Sequence, residues 1–435
     1  MNLANMPIQI VNALKKQGYT AEHVQYTLGQ GHKFGYALDR EINLRELGGR
    51  VKAHAHTLKD YLDRDFDIFH FWNKSLFYKL DYTHMTGFDI PLIKARNKRV
   101  LFRFSGFDVR LPSKDIEVNP YSPFRYGYQH KVDETAQQKF LDFAHEYVDQ
   151  FLVQDPELQQ FCPEARIIPR ALDLDEWQFV GIRNNPRPLV VHAPSNNAVK
   201  GTDFVLKAVE KLQIEQKLPF EFKLIKGMKH EEARKWYEKA DIVVDQLMIG
   251  ATGVLSLEAM ALGKPVILYL REDLFKPFYG SELPCANANP DTIIDVLREL
   301  ISDYEWRQHL SVLGRKTVEK HHDVNQVIKS FTSLYEEVMT KPVKTPTGTR
   351  DIDYLEFQTE ITQKYEILSR NSRKQFLELR KVAAKPPQGD TYADHLDAGK
   401  KMGTDFRLAV LSLYLPKFLF KWIQKLMTKQ SQKHR

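Results

Sequence analysis

The run ADIVVDQLMIGATGVLSLEAMALGKPVI, Ala240 to Ile267, constrains the fold most. Two short apolar stretches, DIVVDQL and KPVIL, bracket a helical pattern from about Gly253 to Leu262. Val254, Leu255, Leu257, Met260 and Leu262 leave that helix almost no polar face. A helix that is apolar all round is buried. Strands joined through single helices form parallel sheets covered on both faces. Gly263 follows the helix and Pro265 lies beyond it, the usual stop signals. From Gln246 to Gly263 the only charged side chain is Glu258. An ionised carboxylate in such a helix is costly without partners. Helical side chains lean toward the N-terminus, so Glu258 can face a cleft at the helix start. The alternative is a structural carboxylate bonded to a neighbouring loop.

The same alternation runs through the chain. RPLVVHAPSNNAVKGTDFVLKAVEKL reads as strand, loop and helix, and FEFKLIKGMKHEEARKWYEKADIVVDQL as strand, loop, helix and strand. In the first half, PIQIVNALKKQG has Pro near its start and Gly at its end, as helices do. FDIFHFW reads as a strand, DIPLIKARNK as a helix and RVLFRFSG as a buried strand ending in a loop. ETAQQKFLDFAHEYVDQFLVQD reads as a helix running into a strand. The 435 residues are therefore expected to form two doubly wound α/β domains, residues 1–170 and 188–340, joined by a linker over 171–187. After about Tyr335 the pattern changes. A helical extension is expected over 341–435, ending in the basic amphipathic run FRLAVLSLYLPKFLFKWIQKLM.

The chain carries a formal charge of +7. Residues 400–435 hold nine Lys/Arg against the single acid Asp405, enough to account for all of it. The body is near neutral, which argues against nucleic acid as the main partner. The tail's apolar runs fall well short of a membrane span, but a basic amphipathic segment can lie on an anionic membrane. A helix packed across the protein's own domains is the other reading. Two cysteines, Cys162 and Cys285, are too few for a disulfide framework. The N-terminal residues lack a basic stretch followed by an apolar core. The expected location is cytoplasmic, with the tail able to hold the protein on the inner face of the cell membrane.

Ligands of open parallel sheets sit outside the carboxyl ends of the strands. Two loops have that position. HAPSNNAVKGTD carries Lys200 and Gly201 and opens a helix for which Thr202 is the expected cap. The helix N-terminus and the Lys200 ammonium both favour a phosphate. The second loop is Gly250, Ala251, Thr252 and Gly253, where glycine lets a ligand approach bare N–H groups. No side-chain cluster has metal-ligand spacing, and the histidines of HFW and HAHTL read as structural.

Together these segments resemble the retaining, nucleotide-sugar-dependent GT-B glycosyltransferases of bacteria, over roughly residues 2 to 335. ADIVVDQLMIGATGVLSLEAMALGKPVI resembles their donor-site signature, AVKGTDFVLKAVEKL their Lys-Gly phosphate loop, and IIPRALDLDEW the end of their N-terminal domain. RVLFRFSGFDVR sits where they place an acceptor-side loop. The resemblance implies two Rossmann-like domains facing a cleft and glycosyl transfer with retention. The donor would be a nucleotide sugar such as a UDP-sugar, acting as substrate with no further cofactor. The acceptor would be a glycan, a lipid-linked glycan or a protein. Lys200 and Gly201, with the N–H groups of Thr252, Gly253 and Val254, would hold the diphosphate. Glu258 would hold the ribose hydroxyls, and Lys226 and Gly227 would fall in the base-binding loop. Ser105 and Gly106 would lie on the acceptor side, with Asp108 and Arg110 as candidates to orient the acceptor; a loop salt bridge or helix cap is the plainer reading of those two. The sequence departs from the family at three places. Gly250 stands where a further Glu is usual, Pro194 where an Arg is common, and Ser105 where a His precedes the glycine. The family's first strand and Gly-rich loop also have no counterpart before Pro7. These departures keep a second reading open, a non-catalytic subunit that supports an active transferase.

Overall fold

The computed structural model describes residues 6–27, 39–43, 57–58, 60–73, 89–128 and 132–344. The expected extension beyond residue 344 and its basic tail lie outside the described residues. All described residues belong to one compact unit.

The first half begins with α1 (Met6–Lys16), followed by the parallel pair β1 (Val24–Thr27) and β2 (Arg40–Asn43). Its main sheet is built from β3 (Ile68–Trp72), β4 (Arg99–Arg103), β5 (Gln150–Val153) and β6 (Arg166–Ile167), parallel throughout and in sequence order. Between these strands run α2 (Asp89–Ala95), α3 (Pro112–Val118), α4 (Glu134–Tyr147) and α5 (Pro156–Gln159). Phe102 meets Phe140 of α4 at 5.1 Å on one face, while Leu101 and Leu152 join the opposite cluster with Ile10 and Leu14.

The second half is a five-stranded parallel sheet of β7 (Leu189–His192), β8 (Glu221–Leu224), β9 (Ile242–Val244), β10 (Val266–Leu268) and β11 (Ala286–Asn287). Its spatial order is β11-β10-β9-β7-β8. The helices are α6 (Asn197–Lys200), α7 (Thr202–Glu210), α8 (His230–Lys239), α9 (Val254–Ala261), α10 (Glu272–Tyr279), α11 (Ile293–Ser302), α12 (Tyr304–His321) and α13 (Val324–Thr340). Alternate strand residues face opposite ways. Val191, Val243 and Leu268 join one apolar cluster, while Val190, Ile242, Val244 and Ile267 join the other. The sheet is therefore doubly wound. Helix α9 is buried over seven of its eight residues, as its apolar periphery requires. Full burial of Leu257 or Met260 contributes about 1.5–3 kcal/mol each.

One helix goes where local pattern does not send it. The second domain was expected to run to residue 340, yet α13 lies on the first half. Val327, Phe331 and Leu334 pack with Ile10, Leu14, Leu101 and Leu152. Arg99 donates to the carbonyls of Val338, Met339 and Lys341 at 3.4, 3.3 and 2.9 Å, closing the helix C-terminus with a cation. The chain thus crosses between the halves twice, and the crossings run side by side. Leu172 N–H donates to His322 O at 2.7 Å and Val324 N–H to Leu172 O at 2.9 Å. His322 Nδ1 lies 2.9 Å from Arg170 O and Nε2 lies 3.0 Å from Tyr279 Oη. Burial pushes this imidazole down to about 3, so it is neutral and accepts the Tyr279 hydroxyl.

Candidate functional site

In the strand order of the second sheet, β7 and β9 are neighbours whose outgoing connections turn to opposite sides. A crevice opens at such a switch point, and both signature loops leave from it. His192 ends β7. Its Nδ1 lies 2.8 Å from Val244 O of β9 and its Nε2 lies 3.0 Å from Thr202 Oγ1. Burial lowers His192 to about 4, so the neutral ring donates to the carbonyl and accepts from Thr202. Thr202 was expected to cap α7. Its hydroxyl is instead bonded to His192, and Gly201 occupies the cap position with φ +71°. The side-chain cap is one turn earlier, where Asn196 accepts the Val199 N–H at 3.2 Å.

Lys200, at the end of α6, reaches the first residues beyond β9. Its Nζ donates to Asp245 Oδ1 at 2.5 Å and to Gln246 Oε1 at 2.9 Å. Asp245 is wholly buried, and the Lys200 side chain is 11% exposed. Ser256 Oγ donates to Asp245 Oδ2 at 2.5 Å and accepts the Gly253 N–H at 3.2 Å. A Cβ at Gly253 would lie 2.3 Å from Asp245 Oδ2 and 3.0 Å from Lys200 Nζ. The glycine is therefore demanded by the protein's own carboxylate. An ammonium has three donors, and two are engaged here. The Lys200 charge thus sits at the N-terminus of α9, whose first-turn N–H groups lack intrahelical partners.

Glu258 lies on α9 and is 5% exposed. His230 Nε2 is 2.9 Å from Glu258 Oε1. Burial lifts the Glu258 carboxyl above its ordinary range, and His230 draws it back. Lys226 and Gly227 form an exposed turn after β8, with Gly227 at φ +69° and open space around its Cβ position. Thr252 is buried, and its carbonyl accepts from Arg170 of the first half at 3.1 Å. Val254 begins α9. Gly250 has φ +80°, and a Cβ there would lie 2.9 Å from Arg271 Cγ and 3.3 Å from Tyr269. The Arg271 stem fills the space that a side chain at 250 would need.

On the first half, Ser105, Gly106 and Asp108 form one loop after β4. Asp108 accepts the N–H groups of Ser105 at 3.0 and 3.1 Å and of Gly106 at 2.7 Å. Desolvation raises its carboxyl to about 6 against those N–H groups. Arg110 is buried and grips Glu157, Nε to Oε1 at 2.9 Å and Nη2 to Oε2 at 2.5 Å. Burial alone would depress the guanidinium, but Glu157 outweighs it and raises it above its ordinary value. Both acceptor-side candidates are thus bonded within their own half. Phe107, just before Asp108, packs against the second-half cluster that includes Val199, Ala251 and Leu255. Asn119 Nδ2 donates to Met248 O at 2.9 Å nearby.

Asp245, Gln246, Ser256 and His230 were not singled out from the sequence. Asp245 and Gln246 sit at the carboxyl end of a strand, a signal that was available. Among the described residues no group of three or more His, Cys, Asp or Glu could hold a metal ion.

No protein-family model matches the sequence, and no curated protein matches it. Solved structures do. A sucrose-phosphate synthase from Thermosynechococcus elongatus superposes with a TM-score of 0.56 at 16% identity, over 78% of this chain and 94% of that one. A glycosyltransferase from Rickettsia africae does so with a TM-score of 0.51 at 12% identity, over 78% and 96%. The chain has the GT-B glycosyltransferase fold.

Proposed function

We propose that this protein transfers a sugar from a nucleoside-diphosphate sugar, such as a UDP-sugar, to a glycan, lipid-linked or protein acceptor, with retention at the anomeric carbon. The observation that carries the reading is the meeting of Lys200 Nζ with the N-terminus of α9 at the switch point. A departing diphosphate gains negative charge in the transition state. The third Lys200 N–H and the first-turn N–H groups of α9 form a preorganised set of donors for it. Glu258 would hold the ribose, and the Lys226–Gly227 turn would lie by the base. No further cofactor is proposed. A screen of UDP-, GDP- and ADP-sugars by thermal shift tests this, since a ligand that binds only the folded state raises its melting temperature. At about 100 times its Kd the donor adds roughly 2.7 kcal/mol, a rise of several degrees. If none of the three raises the melting temperature, the donor reading is wrong.

Position 250 favours a second reading. The family's carboxylate is absent, and the Arg271 stem leaves it no room. A non-catalytic subunit would bind nucleotide sugar without turning it over. Binding with no release of nucleoside diphosphate, even with acceptors present, supports the subunit.

The tail, residues 400–435, supports a cytoplasmic protein held on an anionic membrane, suited to a cell-envelope acceptor. No helix among the described residues is long and apolar enough to cross a membrane. The full chain is expected to sediment with anionic liposomes, and a chain lacking 396–435 is expected not to. Equal sedimentation of both would remove the membrane reading.

A further inference from the structure

Glu258 is the single ionisable group on α9, and its neighbour gives it a second property. His230 opens α8 a few residues after the exposed Lys226–Gly227 turn. Its side chain is 23% exposed against 7% for Glu258, with Nε2 2.9 Å from the carboxylate. The imidazole is therefore the part of the pair that reaches the surface. Its ring stands edge-on to Trp177 at 5.7 Å, and Arg234 lies over the same indole at 4.6 Å. The charged groups acting on the pair are Glu258 from α9, Arg234 from α8, Glu176 from the link between the halves, and Asp245 through its effect on Glu258.

We propose that His230 is a positioning residue of the nucleotide site: its imidazolium keeps Glu258 ionised and oriented toward the ribose, and so sets the pH range over which a ribonucleotide binds. The inference rests on the donor reading above. Ribose hydroxyls donate, and an ionised carboxylate is a stronger and fuller acceptor than a protonated one. The pair is productive when Glu258 has lost its proton and His230 has kept its own. Burial works against the imidazolium, but Glu258 outweighs it and His230 titrates above the ordinary histidine range. Glu258 titrates above the ordinary carboxylate range. Ribonucleotide affinity should therefore fall in acid as Glu258 gains a proton. It should fall again in base as His230 loses one.

The test is the binding of UDP and GDP, each beside its 2′-deoxy form, to the full chain and to His230→Gln, followed by titration calorimetry from about pH 5 to about pH 9. At its optimum the wild type should prefer the ribonucleotide by about tenfold, with the preference shrinking on both sides. In His230→Gln the alkaline fall should vanish, and the acid fall should move to higher pH because Glu258 has lost its cation. A variant profile identical to the wild type overturns the role of His230. Equal binding of ribo and deoxy forms by the wild type at every pH overturns the ribose reading of Glu258 and the inference with it. Failure of both nucleotides to bind at any pH overturns the donor reading itself.

Discussion

Replacing Lys200 by Met is expected to lower glycosyl transfer by roughly 10²–10³-fold, the usual loss when one preorganised donor is removed from a developing anion. The same change leaves Asp245, wholly buried, without its cation. Breaking a buried pair from one side costs about 3–5 kcal/mol of stability. Lys200→Met therefore confounds two effects, and Asp245→Asn separates them. In the double variant the buried charge is gone and Ser256 still has an acceptor. Stability should largely return, while transfer stays low. Urea midpoints and initial rates on the two variants decide the matter. Recovery of both quantities in the double variant would mean that Lys200 serves only Asp245. Full transfer by Lys200→Met alone would remove the lysine from the donor site.

The second large effect is structural. Glu157→Ala should destabilise the protein by about 3–5 kcal/mol, because Arg110 is then buried with Asp115 as its nearest carboxylate, at 3.8 Å. Glu157→Gln keeps an acceptor oxygen and should cost clearly less. The acceptor-side loop carries Phe107 just before Asp108, with Arg110 over its ring at 5.0 Å, so its loosening should also slow transfer. Chemical denaturation of the two variants checks the order. A Glu157→Ala protein within about 1 kcal/mol of wild type would show that the pair contributes nothing of this kind.

Much of the fold was legible in the chain. Short apolar strands alternating with helices imply covered parallel sheets, and the run from Ala240 to Ile267 is strand, loop, buried helix and strand, as its pattern predicts. What local pattern could not carry was address. The periodicity of α13 shows that it has an apolar face, and nothing in it says which sheet that face covers. The Thr202 hydroxyl looked like a helix cap because hydroxyls often are. Its bond to His192 depends on β7 and α7 being brought together across ten residues of chain. The two loops at the switch point were legible as strand-to-helix loops, but the charge between them was not. Asp245 read as the end of a strand, and Gly253 as room for a ligand. Only their contact shows that the glycine makes room for the carboxylate. Glu258 was legible as a charge needing a partner. That the partner is His230 follows from the packing of α8 beside α9, which spacing alone does not give.

The placement of α13 also bears on how the chain is made. The core of the first half includes Phe331 and Leu334 as well as Ile10 and Leu14. An emerging N-terminal half therefore exposes an unfilled apolar face until residue 340 has left the ribosome, by which time the whole second half has been synthesised. Domains usually mature in the order they are translated. Here the second sheet can finish first, and the first-made half waits for a helix encoded more than 300 residues after the one it will lie beside.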